Sequence, residues 1–164
     1  MSKSLDFYFD FISPYSFIAY KEIQKFEKKY SFKIKYRPIL LGGLHNLHGI
    51  KAPAFIPSKA RFMIRDCKIV SEKKNIKFKF NSYFPIKTLN LMRGVLIAEE
   101  DDIKNHYVDS IFNSIWRDGF NMNDQIVVEK VLKNININPK TFFLRLSTQT
   151  AKDNLKKKTN EAFE

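Results

Sequence analysis

Ser13, Pro14, Tyr15 and Ser16 stand where one sequence period gives way to another. Leu5, Phe7, Phe9 and Phe11 alternate with Asp6, Tyr8 and Asp10, which is the pattern of a strand. After Pro14, the residues Ala19, Ile23, Phe26 and Tyr30 follow at helical spacing, with Lys21, Lys25, Lys28 and Lys29 on the other side. Pro14 suits the first helical position: its φ is already helical, and its missing N–H would have had no partner there. Ser13 then falls at the N-cap, its hydroxyl beside free backbone N–H groups and the positive end of the helix dipole. An anion, a thiolate or a phosphate, would be stabilised at that spot. The same arrangement is also a common capping device with no chemistry attached, and spacing alone leaves both roles open.

Other residues that could do chemistry are few. Cys67 is the only cysteine, so an intrachain disulfide and a cysteine-based metal site are excluded. It is in line with Met63 and Val70 on a predicted helix, the place of a core residue rather than a reactive thiol. His45 and His48 are three residues apart, but no carboxylate or third histidine accompanies them at ligand spacing, so no metal is expected. His106 stands alone and reads as a surface residue.

The elements that must position Ser13 follow from the rest of the chain. Its 164 residues are enough for one domain with a real core. A second alternating run, Phe32 to Arg37, stops at Pro38 and completes a βαβ unit, whose two strands should pair in parallel. Gly42-Gly43 and then Gly49 to Pro53 read as a loop, and helices are expected for everything after it. Helices are predicted for Pro57 to Lys74, Ile86 to Glu99, His106 to Trp116 and Asp124 to Leu132, with two more begun by Asn138-Pro139 and carrying Ala151, Leu155, Thr159 and Ala162. A Phe-rich irregular segment, Phe78 to Phe84, interrupts them.

The net charge of +12 invites a nucleic-acid reading, yet the lysines are spread over nearly every segment and no nucleic-acid motif occurs. No nucleic-acid partner is therefore expected. No apolar run approaches the ~20 residues that span a bilayer, and Met1-Ser2-Lys3-Ser4 leads into the first strand without a targeting segment. The expectation is a cytoplasmic protein with no membrane contact.

With these elements placed, the sequence resembles the 2-hydroxychromene-2-carboxylate isomerases and the kappa-class glutathione transferases, of the DsbA-like branch of the thioredoxin superfamily. The residues that carry the resemblance are Phe9 to Phe17, Arg37 to Gly43, Pro53 to Met63 and Phe84 to Leu89, in the family's order and spacing. The resemblance implies an α/β fold: a thioredoxin-like βαβ unit with a large all-helical insertion. Residues 1–42 would be the first half of the thioredoxin-like domain, 43–149 the insertion and 150–164 the start of the return. In redox members of the superfamily a Cys-x-x-Cys occupies the helix start; Ser13 and Ser16 take those positions here. Serine cannot exchange disulfides, but its hydroxyl can hydrogen-bond a foreign thiolate.

The resemblance further implies that this thiolate belongs to glutathione, with Ser13 as the catalytic residue that stabilises it and Lys59 as a contact for one of its carboxylates. The implied activity is a glutathione-dependent isomerisation of a small aromatic substrate. The alternatives are transfer of glutathione to an electrophile, or a non-catalytic thioredoxin-fold binding protein. Relatives of this kind are commonly dimers, which implies a homodimer. Asp66, Arg65, Arg93 and Trp116 are candidates to line the second substrate's pocket, each equally credible as a packing or surface residue. Two departures stand out. Ile50 follows Gly49 where family members often carry a glutathione-binding Asn. Family members also continue past the region matching Thr159 to Phe163 into a cis-proline segment, two strands and a helix, which have no counterpart here. The expectation is that the C-terminal strands of the fold are missing, so that the sequence is a fragment or completes its sheet with another copy.

Overall fold

The computed structural model describes residues 3–30 and 32–164; the lead-in residues Met1 and Ser2 and the junction residue Ser31 lie outside the described part. Strands β1 (Lys3–Phe9) and β2 (Phe32–Pro38) flank helix α1 (Pro14–Lys29). They pair in parallel, with Leu5 opposite Ile34, Phe7 opposite Tyr36 and Phe9 opposite Pro38. Helix α2 (Leu41–Leu47) follows, then a 3₁₀ turn at Pro53–Phe55 and helix α3 (Pro57–Lys73). Helices α4 (Leu89–Glu100), α5 (Lys104–Trp116), α6 (Gln125–Asn134) and α7 (Pro139–Leu146) build the helical layer. The final helix, α8 (Gln149–Glu161), returns to pack on β2, α2 and α4. Among the described residues the sheet has two strands, and no helix is long and apolar enough to cross a membrane.

Three expectations need correction. First, Phe11 lies beyond the end of β1, in a buried turn. Second, α1 buries Phe17, Ile18 and Tyr20 rather than the predicted stripe, and Phe26 and Tyr30 are 48% and 49% exposed. Only the first half of the helix is covered, by Phe112 of α5 and by Phe78, so its far end keeps its aromatic rings in solvent, stacked on each other at 5.9 Å. Third, the expected loop at Gly42-Gly43 is helix α2. Its first N–H, that of Leu41, donates to Asp10 Oδ2 at 2.8 Å, and Leu40 N–H donates to Thr159 Oγ1 at 3.0 Å. Anchors at both residues offset the roughly 1 kcal/mol that each helical glycine costs. Gly49, at φ +65°, follows the helix in a conformation that glycine adopts freely.

The core is an aromatic cluster at the junction of β1, α1 and α5. Phe11 meets Phe112 at 4.8 Å between ring centroids, Phe9 meets Phe11 at 5.5 Å and Tyr20 stacks on Phe112 at 5.1 Å. Trp116 carries the cluster on to Phe78, Phe80 and Phe84. Helix α4 is buried nearly all round, from Leu91 and Met92 through Gly94 to Ala98, because α5, α7 and α8 all lie against it. Gly94 permits the closest approach: a Cβ there would fall on the Tyr107 hydroxyl and 2.8 Å from Phe142 Cζ.

The turn between β1 and α1 starts inside this packing, with Asp10 and Phe11 buried, and its polar groups find partners within the protein. Asp10 Oδ1 accepts from Ile12 N–H at 3.0 Å and from the Thr88 hydroxyl at 2.7 Å. Phe11 N–H donates to Met92 Sδ at 3.4 Å, and Phe11 O accepts from Trp116 Nε1 at 2.8 Å. Ser13 N–H donates to Asp10 O at 3.1 Å. Burial drives the Asp10 carboxyl above its ordinary pKa, and the bonds from Ile12, Thr88 and Leu41 offset only part of that rise. The folded chain thus holds the Asp10 proton more tightly than the unfolded chain does. The stability from this group is full below about pH 3.8 and declines as pH rises through the folded-state value.

Two variants test this packing by urea unfolding. Gly94→Ala should lose about 1–3 kcal/mol, because two side chains must give way to one methyl group. Asp10→Asn should lose a similar ~1–3 kcal/mol, since one face of an amide cannot accept from the donors the carboxylate serves. The Asp10→Asn deficit should also narrow as pH is raised above about 4.

Candidate functional site

Ser13 occupies the N-cap of α1, with φ −87° and ψ 114°, and Pro14 takes the first helical position. Its Oγ accepts from Ser16 N–H at 3.1 Å. Having accepted there, the hydroxyl keeps its own proton to donate elsewhere. Ser13, Pro14 and Tyr15 line a cavity of about 590 Å³, within the range that holds small organic ligands. Ser16, the other serine of the pair, is not among its lining residues.

Two further helix starts reach the same cavity. Leu41 and Gly42 come from α2, and Ser58 and Lys59 from the first turn of α3. The α3 start has no side-chain cap and no acidic residue in its first turn. Lys59 therefore adds positive charge to an end that the helix dipole already makes positive. A bound anion would relieve that conflict. The structure thus brings Ser13 and Lys59 to one cavity from two helices far apart in sequence. The remaining walls are mostly apolar, with Phe55 and Phe62 strongly exposed at 57% and 68%.

Some neighbours were not legible as site residues. His45 lines the cavity from α2, while His48 turns away to lie against Phe163 at 4.6 Å, so the two do not act as a pair. Tyr15 lines the cavity and donates its hydroxyl to Asp66 Oδ2 at 2.9 Å. Burial, and then the Asp66 bond and charge, hold the Tyr15 phenol protonated well above its usual range. Phe62, three residues after Lys59 on α3, could have been noticed from that spacing alone.

The other candidates go elsewhere. Trp116 is fully buried in the aromatic core, and Arg65 is on the surface. Arg93 lines a different cavity, and Ile50 is 51% exposed outside this one. Cys67 is buried in the core, where burial foremost, then the Asp66 charge, pushes its thiol up to about 12. It is no nucleophile.

Comparison with known proteins bears on the fold. The profile of the DSBA-like thioredoxin domain matches residues 4–164. Glutathione S-transferase kappa 1 of Caenorhabditis elegans is 33% identical over 104 residues, covering 60% of this chain and 46% of the relative. The 2-hydroxychromene-2-carboxylate isomerase of Sphingobium xenophagum is 28% identical over 127 residues, covering 76% of this chain and 64% of the relative. The chain thus spans about half to two thirds of the length of these curated relatives. A solved 2-hydroxychromene-2-carboxylate isomerase superposes with a TM-score of 0.87 at 22% identity, over 98% of this chain and 79% of that one. Over nearly its whole length, the chain belongs to the DSBA-like thioredoxin domain family.

Proposed function

We propose that the cavity at Ser13 binds glutathione and that the protein is a glutathione-dependent isomerase acting on a small aromatic substrate. The observation that carries this reading is the hydroxyl of Ser13: it caps α1, keeps its proton free and lines an apolar cavity together with Lys59. A glutathione thiolate set against that hydroxyl would accept its proton as a hydrogen bond and feel the positive end of α1. Lys59 would pair with a glutathione carboxylate. Such a thiolate adds to a conjugated carbon, the weakened double bond turns, and the thiolate leaves again with its electron pair. The apolar walls, Phe55 and Phe62 among them, would hold the ring system. A cytoplasmic setting, where glutathione is kept reduced, suits this chemistry.

A second reading has the same thiolate attack an electrophile and stay attached, as the name of the kappa transferase relative indicates for that protein. Both readings share the glutathione site. They separate on product: the isomerase returns free glutathione, and the transferase consumes it.

Thermal unfolding with and without millimolar glutathione tests the shared step. Ligand at ~100 times its dissociation constant adds about 2.7 kcal/mol to stability, so the transition should move upward by several degrees. Ser13→Ala should lower the ligand-free transition by the ~1 kcal/mol of a lost cap and should also shrink the glutathione shift. Lys59→Gln, an exposed change, should keep the ligand-free transition and reduce the shift. A cooperative wild-type transition that glutathione does not move would overturn the proposal.

A further inference from the structure

A second cavity, of about 560 Å³, opens among α4, α6, α7 and α8 and shares no lining residue with the one at Ser13. Its apolar wall includes Leu91, Phe142 and Phe143, and three cations line it: Lys87, Arg93 and Lys152. No carboxylate does. Among the described residues, none of the three cations lies within ion-pair distance of a carboxylate. The contrast with other arginines is plain: Arg145 holds Asp101 and Glu100, and Arg117 holds Asp118. Arg93 instead has only Asn90 Oδ1, 3.2 Å from its Nη1, and its buried Nε has no acceptor at all. A guanidinium N–H withdrawn from water without an acceptor is costly, and an occupant with an anionic oxygen would remove that cost.

We propose that this cavity is a second ligand site, separate from the one at Ser13, for an organic anion that joins a carboxylate or phosphate to a ring-sized apolar body. Arg93 supplies the directional donors, and Lys87 and Lys152 supply point charges. Leu91, Phe142 and Phe143 take the apolar body, and the volume fits a molecule of that class. Neither cavity's occupant depends on the other's, so this site stands whether or not glutathione binds at Ser13.

Amide-resolved NMR titration with 2-naphthoate, 2-naphthyl phosphate and the neutral 2-naphthalenemethanol tests the site in the wild type, Arg93→Gln and Lys152→Gln. At least one anion should move amides in residues 87–93 and 142–152, and the anion that binds tighter tells carboxylate from phosphate. The neutral alcohol should bind at least about tenfold more weakly, and Arg93→Gln should weaken the anion by a similar ~10-fold. Lys152 is exposed, so Lys152→Gln keeps the fold intact, and a loss of anion affinity there cannot be ascribed to unfolding. Equal binding of the alcohol, unchanged affinity in both variants, or shifts confined to residues around Ser13 would each overturn the proposal.

Discussion

Everything at the candidate site hangs on a four-residue turn that has been taken into the protein interior. Between the end of β1 and the start of α1 the chain must reverse its period while its N–H and C=O groups lie among aromatic rings. Unpaired, each would cost on the order of 1–3 kcal/mol. The Asp10 carboxylate, the Met92 sulfur and the Trp116 indole supply the partners, and each comes from a different part of the fold. The Thr88 hydroxyl and Leu41 N–H meet the same carboxylate from the starts of α4 and α2. One buried side chain thus fixes three helix starts relative to one another. Ser13 is three residues away, so its hydroxyl is placed by this anchor as well as by its own cap bond with Ser16 N–H.

The helical layer exists to make those partners available. Met92 and Thr88 belong to α4 and its cap, and α4 stays in place because α5, α7 and α8 enclose it. A helix buried on nearly all sides needs close neighbours, which is why a glycine stands at position 94 despite its cost within a helix. Trp116 comes at the end of α5, beyond the Phe112 ring that packs under Phe9 and Phe11. On the opposite side, Asp109 of α5 accepts from Lys21, Tyr20 and Asn113, so α1 is tied to α5 by polar contacts as well as by rings. The exposed ion pairs elsewhere, such as Lys25 with Glu22, are the kind that contribute little.

The sequence was legible wherever a local rule decided the outcome. Ser13 and Pro14, Asp124, and Asn138 with Pro139 all start helices as their types dictate, and the two alternating runs become parallel strands. Legibility ended where tertiary contacts overrode local preference. The Gly42-Gly43 pair has the composition of a loop, and only Asp10 and Thr159, 32 residues before and 116 residues after Gly42–Gly43 in sequence, make it helical. Phe26 and Tyr30 satisfy a helical stripe that the fold never covers. Ser13 was visible as a cap, its hydroxyl beside free backbone N–H groups. Its meeting with Lys59 was implied by resemblance rather than readable from spacing, because a contact between two helix starts leaves no periodic trace. Arg93, by sequence equally credible as a pocket or a packing residue, lines the second cavity, which spacing does not reveal for the same reason.

The charge distribution around Ser13 is what lets the proposed function assign a serine to a thiolate it does not itself carry. The starts of α1 and α3 both line one cavity, and Lys59 adds a full positive charge to the second of them. Phe55, Phe62, Met63 and Phe84 give the cavity apolar walls, and a ligand seated against them would feel these fields more strongly than in open water. A cysteine in place of Ser13 would have its own thiolate stabilised by the same field and would become a redox group. With serine the field is left uncommitted: the hydroxyl oxygen accepts from Ser16 N–H, and its proton is left to donate. On the proposed reading, the same field would lower the pKa of a sulfur brought from outside. No cysteine of the chain can supply that sulfur, since Cys67 is sealed in the core with its thiol held protonated.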